Sequence, residues 1–404
     1  MKSGGWPRSV LGEPIGVHGK LPRQIQWQNS ARAGQGVHGT PIMKPVRALI
    51  VACFLAAALP AQPRVETGEV NGAKFRIDLP EKWNGGLVMY CHGYSPAPGS
   101  FDSPKPNPVL GVFLDQGYAF AQSGYAAGGW AIQEAVQDTE ALRRYFIRKY
   151  GAPKETYVTG HSMGGFLTIV MVESFPNVYD GGLALCGPLA PASWFMERRV
   201  FDMLVVFEYL FPGALPSPVK VPADYAMSAA RNAEIEKLLD SRPEHAAAMR
   251  RFSGIRTNKE LAGGLVFFTY ILKDLQQRSG GNPFDNTNTI YEGVGDDNAL
   301  NDGVKRYQPN ARAAEYLSRY YTPTGRLSRN VLAIHNTYDP LVPPWTTNPY
   351  ATIVAQAGRS GNFVQQYVKR DGHCAITSTE IGRGFAQLRE WKATARRPPA
   401  GAAN

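Results

Sequence analysis

Cysteine and long apolar runs are both scarce in this sequence, and each scarcity excludes a class of protein. Only 4 of the 404 residues are cysteine, too few for a scaffold built mainly from disulfides. The apolar run at residues 48–59 is shorter than the ~20 residues that cross a bilayer as a helix, so we expect no integral membrane association. Hydrophobic residues make up 44% of the chain, which is typical of a globular protein rather than a disordered or collagen-like one.

The first 61 residues differ in composition from the rest. Residues 1–42 have neither a helical nor a strand period and stop directly before a second methionine, Met43. Residues 43–61 give a short basic stretch, an apolar run and small residues, which is the layout of a secretory signal peptide. A lipoprotein cleavage box at residues 50–53 is an alternative, but too few apolar residues precede it for the 7–15 that such a signal needs. We therefore predict a disordered, mis-assigned upstream segment at 1–42 and a secreted or periplasmic protein that begins near Gln62.

Much of the net charge of +10 belongs to that leading segment. Without residues 1–61 the chain has 36 basic and 32 acidic residues, a net charge of +4 over 343 residues. Net charge indicates a polyanionic partner only when it lies on the folded domain. The sequence therefore predicts no nucleic-acid partner.

Short apolar segments alternate with helical patterns along the remaining chain. Several are continuous apolar runs flanked by Gly or Pro, as in strands that are covered on both faces of a parallel sheet. The predicted strands are residues 73–79, 86–91, 118–123, 156–160, 182–186, 331–335 and 363–368. Between the third and fourth, an amphipathic helix begins with acidic residues, finishes with basic ones and ends at Gly151, as the helix-dipole and capping rules favour. This pattern predicts an α/β protein with a doubly wound, mostly parallel sheet.

One interval breaks the alternation. Roughly 140 residues separate the fifth and sixth strands, which is too long for a loop inside a compact sheet. This interval carries mostly helical patterns, at residues 194–210, 224–239 and 258–277. We predict a large, mainly helical cap at 189–329, inserted between two parts of the core at 62–188 and 330–396, with a disordered tail at 397–404.

The clearest chemical motif is Gly160-His161-Ser162-Met163-Gly164, which follows a predicted strand and precedes a helical pattern. Gly-x-Ser-x-Gly alone is a weak signal that also arises by chance. At a sharp strand-to-helix turn, however, both flanking positions need small residues because a Cβ would collide with the crossing backbone. The context predicts that Ser162 is a nucleophile held above the edge of the sheet.

A serine nucleophile requires a base, and the base requires an orienting acid. Asp339 follows the sixth predicted strand and His373 follows the seventh; the order Ser, Asp, His is that of α/β-hydrolases. Asp371 is a competing acid, but its position two residues before His373 favours a role in shaping the turn. His335 lies inside a strand and His161 beside the nucleophile, so we interpret both as structural.

Acyl transfer also needs donors for the tetrahedral oxyanion. The strand at 86–91 ends in His-Gly, and a glycine there lets the backbone turn its amides toward the serine. We predict that the backbone N–H groups of Tyr94 and Met163 form this oxyanion hole. Trp130, after the third strand, is a candidate substrate contact, with packing at a helix start as the alternative.

Four segments together resemble the α/β-hydrolase superfamily: GHSMGG, the HG after the strand, the TYDPLVPP loop and the DGHC turn. The resemblance covers about residues 70–395 apart from the cap. The Cys directly after His373 and the large cap are similar to tannases and feruloyl esterases, and the closing GHC…LREW segment is similar to prolyl-oligopeptidase-like hydrolases. Tannase-type enzymes place a Cys directly before the nucleophile, where this chain has His161. The resemblance thus implies an α/β-hydrolase fold and catalytic roles for Ser162, Asp339 and His373.

Three cysteines remain after the predicted signal peptide: Cys91, Cys186 and Cys374. An exported protein favours pairing, and all three are predicted at the carboxyl edge of the sheet. A Cys186–Cys374 bond would tether the His373 loop; Cys91–Cys374 and three free thiols are the alternatives, because sequence does not fix connectivity.

Oxygen-rich side chains cluster in one loop of the predicted cap, at residues 296–302. Their spacing does not match the calcium-loop pattern, and a solvated loop is the simpler interpretation. The sequence also has no phosphate loop, dinucleotide fingerprint or zinc-ligand spacing. We predict neither a metal nor a cofactor.

These observations predict an exported serine hydrolase that cleaves small-molecule or polymeric carboxylic esters, with aromatic or phenolic esters as candidates. The alternative is a serine peptidase of the prolyl-oligopeptidase type. Full-size members of that family carry an N-terminal propeller, which the ~10 residues before the first predicted strand cannot supply. A catalytically inactive binding protein would be expected to lack a triad residue. The sequence leaves the oligomeric state open.

Overall fold

The computed structural model describes residues 64–103 and 110–403; the predicted upstream segment and signal peptide lie outside the described residues. The described chain contains a nine-stranded sheet in the order β1-β2-β4-β3-β5-β6-β7-β8-β9. The strands are β1 Arg64–Val70, β2 Ala73–Leu79, β3 Gly86–Cys91, β4 Ala119–Ser123, β5 Glu155–His161, β6 Gly181–Leu185, β7 Asn330–Tyr338, β8 Phe363–Asp371 and β9 Gly401–Ala402. Pairing is antiparallel for β1 with β2 and for β2 with β4, and parallel between all neighbours from β4 to β9.

Helices cover both faces of this sheet, so the predicted doubly wound α/β fold is confirmed. Buried residues of α2, α3 and α11 share one hydrophobic cluster, and those of α1 and α12 share a second cluster. These helices are α1 Gly111–Asp115, α2 Ile132–Tyr150, α3 Met163–Ser174, α11 Asn348–Gln356 and α12 Ser378–Thr394. Two 3₁₀ turns, Pro344–Thr347 and Ser360–Asn362, flank α11.

The strand predictions fail at the two edges of the sheet. β1 has almost no buried face, so its polar sequence lacks the apolar run on which the predictions depended. At the other edge, residues that the sequence analysis assigned to a disordered tail lie against β8. Gly401–Ala402 pair with it as β9, and the Gln366 amide donates to the Pro399 carbonyl (2.8 Å). Two-residue pairing of this kind leaves no periodic signal in a sequence.

A helical insertion of residues 192–321 lies between β6 and β7. Its elements are α4 Ala192–Phe195, a π-helical turn Met196–Phe201, α5 Asp202–Leu210, α6 Ala229–Ser241, α7 Pro243–Ser253, α8 Asn258–Ser279, α9 Asp297–Gly303 and α10 Ala311–Tyr321. Most of its buried apolar side chains belong to the same hydrophobic cluster as α2 and α3. Whether residues 189–329 form a cap that is a domain of its own stays a prediction.

The long helix α8 is defined at both ends by local sequence. Thr257 and Glu260 form a capping box at its start, which satisfies two backbone N–H groups that a helix leaves unpaired. Gly280 ends it in the left-handed conformation (φ 80°), which glycine adopts without a Cβ penalty. No helix within residues 64–103 and 110–403 combines the length and apolar character needed to cross a membrane.

Candidate active site

Ser162 occupies the turn between β5 and α3. Its backbone is left-handed in φ (φ 57°, ψ −122°), a strained region for a residue with a side chain. The backbone of β3 crosses close by: a Cβ on Gly160 would lie 2.4 Å from the Cys91 carbonyl oxygen, and a Cβ on Gly164 only 1.9 Å from it. Both glycines are therefore sterically required, for the reason that the Gly-x-Ser-x-Gly pattern suggested.

The structure brings Ser162, His373 and Asp339 into one hydrogen-bonded chain. His373 Nε2 lies 3.0 Å from Ser162 Oγ, and His373 Nδ1 lies 2.8 Å from Asp339 Oδ2. These are the distances at which a histidine can take a proton from the serine while a carboxylate orients its ring. The three residues come from the ends of β5, β7 and β8, as expected for parallel strands whose carboxyl ends share an edge.

The Asp339 carboxylate is fully buried and held by several donors. Its Oδ1 accepts from the backbone N–H groups of Leu341 and Val342, both at 2.9 Å, and its Oδ2 also accepts from Cys374 N at 3.3 Å. Burial opposes ionisation, but the hydrogen bond and charge of His373 outweigh it and leave the pKa of Asp339 below its ordinary value. The side chain is therefore an anion suited to stabilise a protonated His373.

Two side chains that the sequence analysis missed fix the loops carrying Asp339 and His373. The Asn336 amide donates to the carbonyls of Gly372 and Tyr338, which joins the two loops. Arg199, from the π-helical turn, is buried and donates to the Pro340 carbonyl and to Ser253 O (2.6 Å). In the sequence Arg199 is one of several charges that interrupt an apolar helix, and nothing in that pattern identifies its partners.

The competing acid and bases have other partners. Asp371 is exposed and pairs with Arg256 at 2.6 Å. His335 is buried, with Nδ1 2.9 Å from the Asn336 carbonyl oxygen, and its burial lowers its pKa. His161 Nδ1 lies 3.2 Å from the Tyr90 hydroxyl, and burial, with a smaller effect of the His373 charge, lowers the pKa of His161 to about 4.

Of the two cysteine pairings left open, the structure brings together Cys186 and Cys374. Their sulfur atoms lie at bonding distance, 2.08 Å, and Cys91 is buried as a free thiol. Cys186 directly follows β6, and Cys374 directly follows His373, so the pair ties the His373 loop to the strand beside β5. The Cys374 sulfur also lies 3.5 Å from His373 Nε2.

A small cavity, which we call the aromatic pocket, opens beside Ser162 and His373 and has a volume of about 20 Å³. Its other lining residues are Tyr94, Trp130, Phe195, Phe267, Phe268, Ile271, Leu341 and Val342. Trp130, the predicted substrate contact, is therefore close to Ser162, and its ring lies 6.5 Å from that of Phe195. That some aromatics of the inserted helices would line a substrate pocket was a hypothesis from the sequence, but helical periodicity identifies a buried face and not what it packs against, so the particular residues of α4 and α8 were not named.

The predicted oxyanion donors lie on the two segments that adjoin Ser162. Met163 is the first residue of α3. A Cβ on Gly93 would lie 3.4 Å from Ser162 Cβ, so the His92-Gly93-Tyr94 loop passes directly beside the serine. The role of both backbone N–H groups stays a prediction.

A larger cavity of about 460 Å³ lies between the insertion and the 3₁₀ turn Pro344–Thr347 and is lined by none of the three predicted catalytic residues. It has Trp194, Trp345, Arg198 and Arg251 among its walls. The oxygen-rich loop at 296–302 serves the local backbone: Asp296 caps α9, and Asp297 accepts from Gly293 N and Val294 N. Within the described ranges no group of three or more His, Cys, Asp or Glu side chains has an arrangement that could hold a metal ion.

No protein-family model matches the chain, and comparison with curated protein sequences finds no match. Solved structures similar to it include an acylaminoacyl peptidase from Pyrococcus horikoshii, with 12% identity, 85% of this chain and 43% of that chain covered, and a TM-score of 0.44. An esterase/lipase from an uncultured bacterium has 13% identity, coverage of 83% and 88%, and a TM-score of 0.43. A rice cell wall degrading esterase, LipA from Xanthomonas oryzae, has 12% identity, coverage of 80% and 83%, and a TM-score of 0.41.

The chain thus spans less than half the length of the peptidase but most of the length of the two esterases. At these identities and TM-scores, the basis for a functional conclusion is the geometry of the chain's own site.

Proposed function

We propose that this protein is a serine hydrolase that cleaves carboxylic esters through a covalent acyl-enzyme. The observation that carries the proposal is the Ser162–His373–Asp339 chain, with distances of 3.0 and 2.8 Å. A buried carboxylate, an imidazole and a strained serine at a strand-to-helix turn are the components that activate a hydroxyl near neutral pH. The Cys186–Cys374 pair supports export to an oxidising compartment, where disulfides persist.

In the proposed reaction Ser162 Oγ attacks the ester carbonyl carbon while His373 Nε2 takes the hydroxyl proton. Asp339 keeps the ring oriented and stabilises its protonated form. The oxyanion receives hydrogen bonds from the backbone N–H groups of Met163 and Tyr94, and the positive end of α3 adds a partial charge of the right sign. The alcohol departs with the proton from His373, and a water molecule, activated by the same ring, then releases the carboxylic acid and restores Ser162.

An ester rather than an amide substrate is favoured by the chemical character of the aromatic pocket. Apart from Ser162 and His373, its described lining has no ionisable side chain other than Tyr94. The ammonium or charged residue of a peptide would lose its hydration there without a charged partner, which is costly. An alcohol is also an easier leaving group than an amine.

The direct test replaces the nucleophile. Ser162→Ala is expected to lower kcat for p-nitrophenyl acetate by a factor on the order of 10⁴–10⁶, since the remaining donors alone give little rate. Ser193→Ala is the matched control, because Ser193 is exposed at the start of α4 and should leave the rate unchanged. Full activity in Ser162→Ala would refute the proposal. Faster cleavage of a prolyl p-nitroanilide than of any ester would favour the peptidase alternative.

A further inference from the structure

The larger cavity, which we call the tryptophan cavity, has the size of a ligand site. Its volume of about 460 Å³ lies within the roughly 300–1,000 Å³ of pockets that take small molecules. Some of its lining side chains, such as Asp202, Met203 and Tyr291, are buried, and others, such as Arg251, are exposed. The cavity therefore has a closed floor and a rim that solvent reaches.

Two tryptophans form an apolar corner of this cavity. Trp194 and Trp345 meet edge to face, with their ring centroids 5.2 Å apart and their planes at 80°. Trp345 is 40% exposed, and Ile290, which also lines the cavity, is 81% exposed. Apolar side chains left exposed together around a concave surface typically mark a place where another molecule binds. A ligand in the cavity would remove these surfaces from water.

The rim also carries charges of both signs. Arg198, Arg251 and Glu292 are exposed there. Arg251 donates to the Val294 carbonyl (2.6 Å), but the side chains of Arg198 and Glu292 form no hydrogen bond or ion pair with another described residue. The cavity thus offers a ligand both a donor and an acceptor that the protein does not use.

A π-helical turn places several of these groups. The turn Met196–Phe201 lies between α4 and α5, and residues spaced by four along this continuous segment, Trp194, Arg198 and Asp202, all line the cavity. π-helical turns are rare and occur frequently at functional sites. The local backbone is therefore a second observation that points to a ligand, independent of the exposed rim.

We propose that the tryptophan cavity is a carbohydrate-binding site. A sugar ring has a flat face of C–H groups that packs against an indole ring, and its hydroxyls both accept from arginine and donate to a carboxylate. An anionic ligand would meet Glu292 and a cationic one would meet the arginines. A zwitterionic peptide would pair with both signs but has no rigid apolar face for the two indole rings. Such a site goes beyond the proposed function and does not depend on it.

The cavity lies next to the aromatic pocket. The consecutive residues Trp194 and Phe195 line the tryptophan cavity and the aromatic pocket, respectively. Arg199, which lines the cavity, also donates to the carbonyl of Leu341, a residue of the pocket wall (3.4 Å). A bound sugar would therefore be held beside the candidate active site rather than on a remote surface.

The test is isothermal titration calorimetry of the folded wild-type protein with cellotetraose, xylotetraose and N-acetylated chitotetraose. These sugars carry no carboxylic ester, so their binding is measured independently of ester hydrolysis. We expect saturable binding of at least one of them, together with a change in tryptophan fluorescence, because a sugar in the cavity would contact both indole rings.

Two variants locate the binding. Trp345→Ala removes an indole surface and should weaken binding at least about 10-fold. Arg198→Met keeps much of the apolar stem but removes the charged donor, and should also weaken binding at least about 10-fold. Tyr367→Ala is the matched control, because Tyr367 is an aromatic residue of similar exposure (39%) on β8 that does not line the cavity, so this variant should bind like the wild type. Thermal melts establish that each variant is folded.

No saturable binding of any of the three sugars to the folded wild type would overturn this proposal. Wild-type affinity in both folded cavity variants would also overturn it, because the sugar would then bind elsewhere. Tighter binding of the dipeptide alanyl-alanine than of any sugar would overturn it in favour of a peptide site. Sugar binding without hydrolysis of p-nitrophenyl acetate would support the carbohydrate site and contradict only the proposed function.

Discussion

The Cys186–Cys374 bond is expected to stabilise the fold and to position His373. It closes a loop with a sequence separation of 188 residues, for which the chain-entropy relation gives about 5 kcal/mol of stabilisation. This is an upper figure, because the unfolded chain retains some structure. For a domain of this size a loss of 2–5 kcal/mol corresponds to a Tm lower by roughly 3–7 °C.

The same bond should also affect the rate. Cys374 adjoins His373, and both cysteines hold left-handed backbone conformations, with φ 46° at Cys186 and φ 54° at Cys374. Without the bond the His373 loop loses its tether to β6. We therefore expect Cys186→Ser to lower kcat for p-nitrophenyl acetate more than it raises KM.

The assay combines circular-dichroism melts with initial rates, each with and without a reductant. Reductant should lower both Tm and kcat of the wild type but have no effect on a Cys186→Ser/Cys374→Ser double variant. Cys91→Ala is the matched control, because it removes the buried free thiol and should remain sensitive to reductant. If mass spectrometry shows the bond fully reduced while the wild-type Tm and kcat stay constant, the reasoning is refuted.

Three further predictions concern single residues. Gly164→Ala would place a Cβ 1.9 Å from a carbonyl oxygen and should destabilise the protein by more than about 4 kcal/mol. Gly263→Ala, in a helix with open space around the site, should instead stabilise the protein by about 0.5–1 kcal/mol. Similar denaturant midpoints for the two variants would contradict the predicted collision at Gly164. Asp339→Asn should lower kcat about 10⁴-fold, whereas Asp371→Asn should leave it unchanged; a reversed pattern in kcat measurements would identify Asp371 as the acid. Burial raises the pKa of Asp202 from 3.8 to about 6, so the folded state loses stability as the pH rises through this range. Asp202→Asn should therefore raise the free energy of unfolding by roughly 1–3 kcal/mol at pH 8 and change it little at pH 4. Urea titrations at both pH values measure this, and an equal effect at the two would show that the buried charge of Asp202 is not the cause.

The sequence predicts those parts of the site that depend on local pattern. Ser162, Asp339 and His373 each follow a segment with a clear strand signal, and parallel strands bring their carboxyl ends to one edge. The role of Gly160 and Gly164 could be predicted from the motif because the sharp turn at Ser162 leaves no room for a Cβ at the flanking positions. Such predictions succeed because strand propensity and the steric limits of a turn depend on only a few neighbouring residues.

Other parts depend on contacts between distant segments. The sequence allowed three arrangements of Cys91, Cys186 and Cys374, and only the relative position of β6 and the His373 loop distinguishes them. Phe268 lies on a helix whose apolar face could pack against any element, so its place beside Ser162 is set by the tertiary fold. Arg199 is one of several charges in an apolar helical pattern, and only the tertiary fold places it against the Asp339 loop.

The position of the insertion also determines how the chain assembles during synthesis. Strands β1 to β6 all precede the insertion in the sequence. The second sheet neighbour of β6 is β7, which begins about 145 residues after β6 ends. At 5–20 residues per second, that interval lasts on the order of ten seconds. During it the nascent chain presents the unpaired backbone of an apolar strand, Gly181–Leu185, which is the kind of edge that joins with other chains. An incomplete chain is therefore expected to associate with others at the exposed edge of β6, a liability that the finished sheet removes when β7 pairs there.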